Sequence, residues 1–164
     1  QVACQWTAQR WRKIEAGAGS TRAGVESGST PQARYEPQPR RRLELLRHAL
    51  NDAQFICDDK VASFALTQAD VARLGVIPED NEGIIDHLRS VDSVVAAVFF
   101  EELEGGKVRV SSRSKDRRVD VCKVCALFGG GGHALAAGAR MAGPLEVARE
   151  KFLNALCDEV RGIH

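Results

Sequence analysis

Val94-Val-Ala-Ala-Val-Phe-Phe100 is apolar at every position. A strand with one wet face alternates apolar and polar residues. An unbroken apolar run of this length between turn residues reads instead as a strand covered on both faces. Residues 93–100 are therefore expected to form a central strand of a sheet with helices against it. Downstream, Gly105-Gly106 marks a hairpin turn. Lys107 to Arg113 then returns as an alternating strand, with Val108 and Val110 on one face and Arg109, Ser111 and Arg113 on the other. Val119 to Leu127 reads as a helix capped by Asp120, and Ala139 to Ala142 as a short strand. Pro144 opens a last helix that turns Val147, Phe152, Leu156 and Val160 inward.

The same reading runs upstream. Glu82 to Val91 is a helix with Ile84, Ile85 and Leu88 on its inner face, preceded by a turn at Pro78 to Asn81. Thr67 is a good N-cap for a helix through Leu74, which Gly75 ends. Phe55 to Leu66 is a hairpin about Asp58-Asp59. From Arg40 to Leu50, Leu43, Leu46 and Leu50 recur at helical spacing, with Arg41, Arg42 and Arg47 forming a basic face expected to be solvated. The fold class is α/β, a mixed β-sheet with helices packed against it.

The chain has 164 residues, 44% hydrophobic and 27% charged, with a net charge of +1. That is the make-up of one soluble globular domain, or one domain and a tail. The balance excludes a nonspecific nucleic-acid coat, which is strongly basic, but leaves room for a local basic pocket. No apolar run approaches the roughly 20 residues of a membrane span. Gln1 to Glu15 lacks the apolar core of a signal peptide, so a cytoplasmic protein without membrane partners is expected. Because the chain begins with Gln1, it is expected to start inside a longer product or to be processed. Residues 1–40 mix Gly, Ser, Thr, Arg and Gln with Pro31, Pro37 and Pro39, and show no periodicity. They are expected to form a low-complexity tether or remnant, Trp6 and Trp11 being the exceptions, ahead of a domain over 41–164.

Five cysteines without a secretion signal point to reduced thiols. Cys122 and Cys125 form one C-x-x-C, but a structural zinc site needs two further ligands at suitable spacing, and only His133 is near. Cys125 falls on the apolar face of its helix, so buried packing is expected rather than metal or redox chemistry.

Phe128-Gly-Gly-Gly-Gly-His133, followed by Ala134-Leu-Ala-Ala-Gly138, carries the chemistry. Residues without a Cβ let another group approach the backbone closely. Bare backbone N–H groups beside an imidazole suit an anion such as a phosphate. A flexible surface loop with an incidental histidine is the competing reading, and the apolar helix before the run and the Ala-Ala-Gly after it weigh against that. Arg113 offers a planar fork that matches phosphate oxygens, and the hydroxyls of Ser111, Ser112 and Ser114 add donors. Lys115, Arg117 and Arg118 read as a solvated basic turn that steers anions.

Val110-Ser-Ser-Arg-Ser114, Val119-Asp-Val121 and Phe128-Gly-Gly-Gly-Gly-His133-Ala-Leu-Ala-Ala-Gly138 together resemble the C-terminal DHH-associated domain of DHH-family phosphoesterases. Within that family the likeness is to the bifunctional oligoribonucleases that also dephosphorylate 3′-phosphoadenosine 5′-phosphate. It runs from about Tyr35 to the last helix. The resemblance implies a two-domain clamp, in which an N-terminal domain holds two Mn²⁺ ions through Asp and His ligands, an Asp-His-His motif among them. The C-terminal domain grips the nucleotide. Carried onto this chain, Arg113, Gly130, Gly131, Gly132 and His133 would bind the substrate phosphate or the terminal nucleotide; Ser111, Ser114 and Gly129, from the reading of the residues, complete the expected substrate-binding set.

This chain contains no Asp-His-His, and its four histidines are scattered. Two-metal phosphoester hydrolysis needs a carboxylate-rich cluster. No catalytic or metal-binding residue is therefore assigned in this chain, and Mn²⁺ is expected in a catalytic domain that it lacks. The expected function is the substrate-binding half of a phosphoesterase for short RNA or DNA oligonucleotides or a nucleoside bisphosphate. It would be inactive alone and paired with a DHH catalytic domain in cis or in trans. A standalone nucleic-acid-binding module and an inactive remnant remain as alternatives. So does the related appendage of alanyl-tRNA synthetases, whose glycine-rich motif usually lacks the histidine.

Overall fold

The computed structural model describes residues 37–162. The tether expected over residues 1–40, with Trp6 and Trp11, falls outside the described residues as far as Glu36. The elements in order are α1 (Arg40–Asp52), β1 (Gln54–Ile56), β2 (Val61–Leu66), α2 (Gln68–Leu74), a 3₁₀ turn (Pro78–Asn81), α3 (Ile84–Arg89), β3 (Ala96–Leu103), β4 (Lys107–Ser114), α4 (Val121–Ala126), β5 (Gly131–His133), β6 (Ala136–Ala142) and α5 (Leu145–Arg161). The six strands form one sheet in the order β1-β2-β3-β4-β6-β5. Only β2 and β3 run parallel, because α2, the 3₁₀ turn and α3 carry the chain back between them; every other pair is antiparallel.

β3 is the central strand expected from its apolar run, and Ala96 to Glu101 are all buried. It starts three residues later than the sequence reading and continues to Leu103, where pairing with β4 ends. Its alternate residues feed two separate cores. Ala96, Val98 and Phe100 join Val108 and Val110 of β4 and Ala137, Ala139 and Met141 of β6 under α4 and α5. We call this the back of the sheet. Ala97 and Phe99 face the front, with Ala62, Phe64 and Leu66 of β2, beneath Leu45 and Ala49 of α1 and Ile84, Ile85 and Leu88 of α3. Phe64 and Phe99 stack with their planes 4° apart. The start of α3 overhangs β4, and among the described residues the front cover goes no further. Among the described residues, no helix lies on the front of β6 and β5.

Local signals set most boundaries. Thr67 closes a capping box with Asp70 at the start of α2, and Gly75 ends that helix. Burial alone disfavours the Asp70 carboxylate, but hydrogen bonds from Arg73 and Thr67 outweigh it and hold the group well below the usual range. Asp80 is also lowered: burial opposes its charge, but the Ile77 N–H at 3.0 Å and Arg41 Nε at 2.6 Å prevail. Two side chains of the basic face of α1 are therefore used rather than solvated, Arg41 on Asp80 and Arg42 Nη2 on the Glu82 carbonyl at 2.8 Å.

Four sequence expectations are corrected. On α1 the buried residues are Leu45 and Ala49, while Leu43 and Leu50 are more than half exposed, so the inner stripe is rotated from the spacing first apparent. On α5 Val147 points outward, and Leu145, Ala148, Leu153 and Cys157 are buried beside Phe152, Leu156 and Val160. β6 begins at Ala136 rather than Ala139, because Ala136 to Gly138 pair with Ser111 to Arg113 on one side and with Gly131 to His133 on the other. Finally, Cys57 and Cys157 are joined in a disulfide, against the expectation of reduced thiols. Cys57 lies in the β1–β2 turn and Cys157 on the sheet side of α5, so 100 residues of separation in sequence become a Cα–Cα distance of 6.1 Å. No helix among the described residues is long and apolar enough to cross a membrane.

Candidate functional site

The open front of β4, β6 and β5 holds most of the residues singled out from the sequence. Register fixes their neighbours. Arg113 of β4 pairs with Ala136 of β6, which pairs with His133 of β5, so Arg113 and His133 stand in one cross-strand row with a methyl group between them. The next row is Ser111, Gly138 and Gly131. The row after that is Arg109 and Arg140, with Glu101 of β3 on the other flank of Arg109. At about 4.8 Å per strand and 3.3 Å per residue, the shelf is roughly 10 Å wide between β4 and β5. It is roughly 13 Å long from Arg109 to Arg113. Its middle row has a single hydroxymethyl side chain, on Ser111, and cations stand at both ends. A cleft of about 420 Å³ lies on it, lined by Arg109, Ser111, Gly129, Gly130, Gly138 and Arg140 among others.

The four glycines do two different jobs. A Cβ on Gly130 would lie 2.2 Å from the Gly138 carbonyl oxygen and 2.6 Å from the Ala139 Cβ. On Gly132 it would lie 2.6 Å from the Ala136 carbonyl oxygen, at a φ of +146° that favours glycine. These two let β5 lie close against β6. Gly131 is different: a Cβ there meets nothing within 4 Å, because the position looks over the shelf.

The backbone also differs from the sequence expectation. Gly129 N–H donates to the Ala126 carbonyl at 3.1 Å and Gly130 N–H to the Cys125 carbonyl at 2.9 Å. Both amides close the C-terminal end of α4, where the helix dipole presents negative charge. The run is therefore a helix stop and an edge strand, not a cradle of four free amides. Electrostatic attraction for an anion comes from the arginines.

Arg113 is half-buried, and its Nη1 donates to the Ser112 carbonyl at 3.0 Å, which orients the guanidinium. Arg109 pairs with Glu101, which is 7% exposed and receives Asn81 Nδ2 at 3.0 Å on its other oxygen. Arg140 is exposed and has no acidic partner among the described residues. Like charges directly across a strand pair repel, so Arg109 beside Arg140 leaves the shelf favourable to an anion. Lys115 and Arg118 are engaged nearby, Lys115 Nζ with the Val91 carbonyl at 2.7 Å and Arg118 with Asp116, whose carboxyl this holds down to about 2.

The structure thus brings together Ser111, Arg113, Gly129, Gly130, Gly131 and His133. It does not bring Ser114, which is 1% exposed on the back, where its Oγ donates to the Asp116 carbonyl at 2.9 Å. Ser112 is turned back in the same way. Alternation along β4 carried that information: even-numbered residues share the face of Val108 and Val110. Arg109, Gly138 and Arg140 also face the shelf and were not singled out from the sequence, although Arg109 shares its face with Ser111 and Arg113 by the same rule. Arg140 needed the β4–β6 register.

Asp120 caps α4, accepting from Cys122 N–H at 2.9 Å and Lys123 N–H at 3.2 Å. Cys125 is fully buried, and desolvation, aided by Cys122, raises its thiol to about 11. The Cys122 thiol donates to the Gly132 carbonyl at 3.3 Å. Among the described residues no group of three or more His, Cys, Asp or Glu side chains is placed to hold a metal ion, so the residues present do not fit a two-metal centre.

Residues 58–162 match the DHHA1 domain family. The bifunctional oligoribonuclease and PAP phosphatase NrnA of Thermus thermophilus is 37% identical over 83 residues, half of this chain and a quarter of that protein. An exopolyphosphatase-related protein from Bacteroides fragilis superposes with a TM-score of 0.69 at 28% identity, over 74% of this chain and 36% of that one. The pGpG-specific phosphodiesterase PggH from Vibrio cholerae shares the fold, with a TM-score of 0.56 at 14% identity over 74% of this chain and 40% of its own. The chain therefore spans well under half of each of these relatives.

Proposed function

This chain belongs to the DHHA1 domain family, and from that premise we propose that its open sheet face is the nucleotide-gripping half of a phosphoesterase site. The ligand is a short oligonucleotide or a nucleoside bisphosphate, in keeping with the oligoribonuclease and PAP phosphatase to which the chain is 37% identical. One observation carries the reading. A shelf lacking a side chain at Gly131 and Gly138 has Arg113 and His133 along one edge and Arg109 and Arg140 along the other.

Each part has a role that its chemistry supports. Arg113 offers two parallel N–H donors to a phosphoryl group, and charge-assisted pairs of this kind are shorter and stronger than neutral ones. Its bond to the Ser112 carbonyl limits the rotamer entropy lost on binding. Ser111 adds a hydroxyl donor in the middle row. Gly131 and Gly138 let the ligand lie against the backbone. His133, exposed on the outermost strand, is a donor at the rim.

The metal-dependent bond cleavage is assigned to a partner domain, in cis or in trans, that supplies Mn²⁺. No step of it is assigned to this chain. The purified chain mixed with 5′-labelled RNA of two to five nucleotides and Mn²⁺, followed by anisotropy and by gel, separates the alternatives. Binding without cleavage is expected. Cleavage that survives repurification means that the chain holds a metal centre of its own, and absence of binding removes the shelf assignment.

A further inference from the structure

We propose that the cleft beside the shelf, under the edge of the front cover, is a nucleobase pocket selective for bases that carry an exocyclic amino group. The inference rests on reading the shelf as the phosphate end of the site. The cleft measures about 530 Å³ and shares Arg109 and Ser111 with the shelf. Its near wall is Arg109, Ser111 and Arg113, and its far wall is the 3₁₀ turn and the start of α3. A nucleotide whose phosphate lies on the shelf can therefore extend its base into this cleft without leaving the sheet.

The far wall is made of acceptors. Glu79, Asn81, Glu82 and Asp86 line it. Asp86 is bound to Arg89 at 2.8 Å, while Glu79 and Glu82 have no cationic partner among the described residues. Asn81 is oriented rather than free to flip. Its Nδ2 donates to Glu101, a buried carboxylate that only accepts, so the Oδ1 end is fixed away from Glu101. That Oδ1 is buried and has no donor among the described residues. A buried acceptor without a partner favours a ligand that brings one. The carboxylates of this wall repel a second phosphate and attract N–H groups. Adenine, cytosine and guanine carry an exocyclic amino group, whereas uracil presents a carbonyl oxygen where cytosine has its amine.

Cytidine and uridine 5′-monophosphates have the same size and the same phosphate, and differ in that amine. NMR titration of the full 164-residue chain with each is the test. Both are expected to shift the amides of Ser111, Gly131 and Gly138. The cytidine nucleotide is expected to bind about fivefold tighter, the value of one added hydrogen bond. Asn81→Ala, and separately Glu82→Gln on the exposed rim, is expected to bring the ratio towards one while the spectrum remains that of a folded chain. Equal affinities with shelf shifts overturn the base pocket and leave the shelf standing. Shelf shifts that never reach residues 78–86 do the same. No shelf shift with either nucleotide overturns the shelf reading and the pocket together.

Discussion

The front of this sheet is two surfaces built on one backbone. Over β2 and β3 it is roofed by α1 and α3, and Phe64, Leu66 and Ala97 are fully buried. Beyond the overhang of α3 on β4, no described element covers it, and the positions in the same orientation are Ser111, Gly138, Gly131, three arginines and a histidine. Strand pairing is continuous across the boundary, so hydrogen bonding does not distinguish the halves. Side-chain size does. Large apolar residues call for a cover, and burying them supplies most of the stability. Glycine, alanine and serine bury little, so a helix laid on them would gain almost nothing, and the face stays open to a ligand. The boundary itself is a charged pair, Glu101 with Arg109, one member in each half.

The sharpest way to break this contrast is to remove the roofed half's largest contact. Phe64→Ala deletes a fully buried ring stacked on Phe99, and a loss of about 3–5 kcal/mol is expected in urea unfolding. Nucleotide affinity of the protein that remains folded should stay within about twofold. A large loss of affinity with little loss of stability would mean that the two halves do not divide the work in this way.

Two neighbouring glycines repeat the contrast within three residues. Gly130→Val drives a side chain into the Gly138 carbonyl and Ala139, and is expected to destabilise by about 1–3 kcal/mol or more. Gly131→Val enters open space. It should change stability by no more than about 0.5 kcal/mol and yet block the shelf. Normal binding by Gly131→Val would reduce the glycine run to a helix stop. Next in size, Arg113→Ala is expected to weaken binding of a short 5′-phosphorylated RNA by about 10-fold or more, with His133→Ala costing less from its exposed rim position. Both variants should melt as the parent does. Unchanged affinity in both would sink the site.

How legible these halves were in the sequence differs, and for a physical reason. The roofed half is written in local patterns: the apolar run at Val94 to Phe100, the Thr67 cap, and Ile84, Ile85 and Leu88 on one side of α3. Each depends on residues within a few positions. On the open half, the alternation of β4 placed Arg113 and Ser111 correctly, and ignoring it led to Ser114. Gly138 and Arg140 reach the shelf only through the β4–β6 register, which is a long-range property. The glycine run misled in the opposite way. Four glycines look like four free amides, but Gly129 and Gly130 spend theirs on the end of α4. The Cys57–Cys157 bond, 100 residues apart in the chain, has no local signature.

The smallest expected effect concerns acid, and it belongs to the roofed half. Asp70 and Asp80 are both held below the ordinary carboxylate range in the folded chain, despite the opposing cost of burial, by hydrogen bonds from Thr67 and Arg73 and from Ile77 and Arg41. In the unfolded chain each titrates near the model-peptide value of about 3.9. A carboxyl with a depressed folded value binds its proton more readily when unfolded, so it stabilises the fold above about pH 4. That contribution is lost as the pH falls through the folded values. Melting temperature is therefore expected to be flat from pH 7 to about pH 5 and to fall below about pH 4. Asp80→Asn, which keeps the shape but removes the charge, should make that acid limb shallower, because it deletes one of the lowered carboxyls, Asp70, Asp80 and Asp116. The shelf stands apart from these two carboxylates: none of Arg109, Ser111, Arg113 or His133 contacts Asp70 or Asp80. An acid limb equally steep in Asp80→Asn would mean that the roof is not what acid releases first.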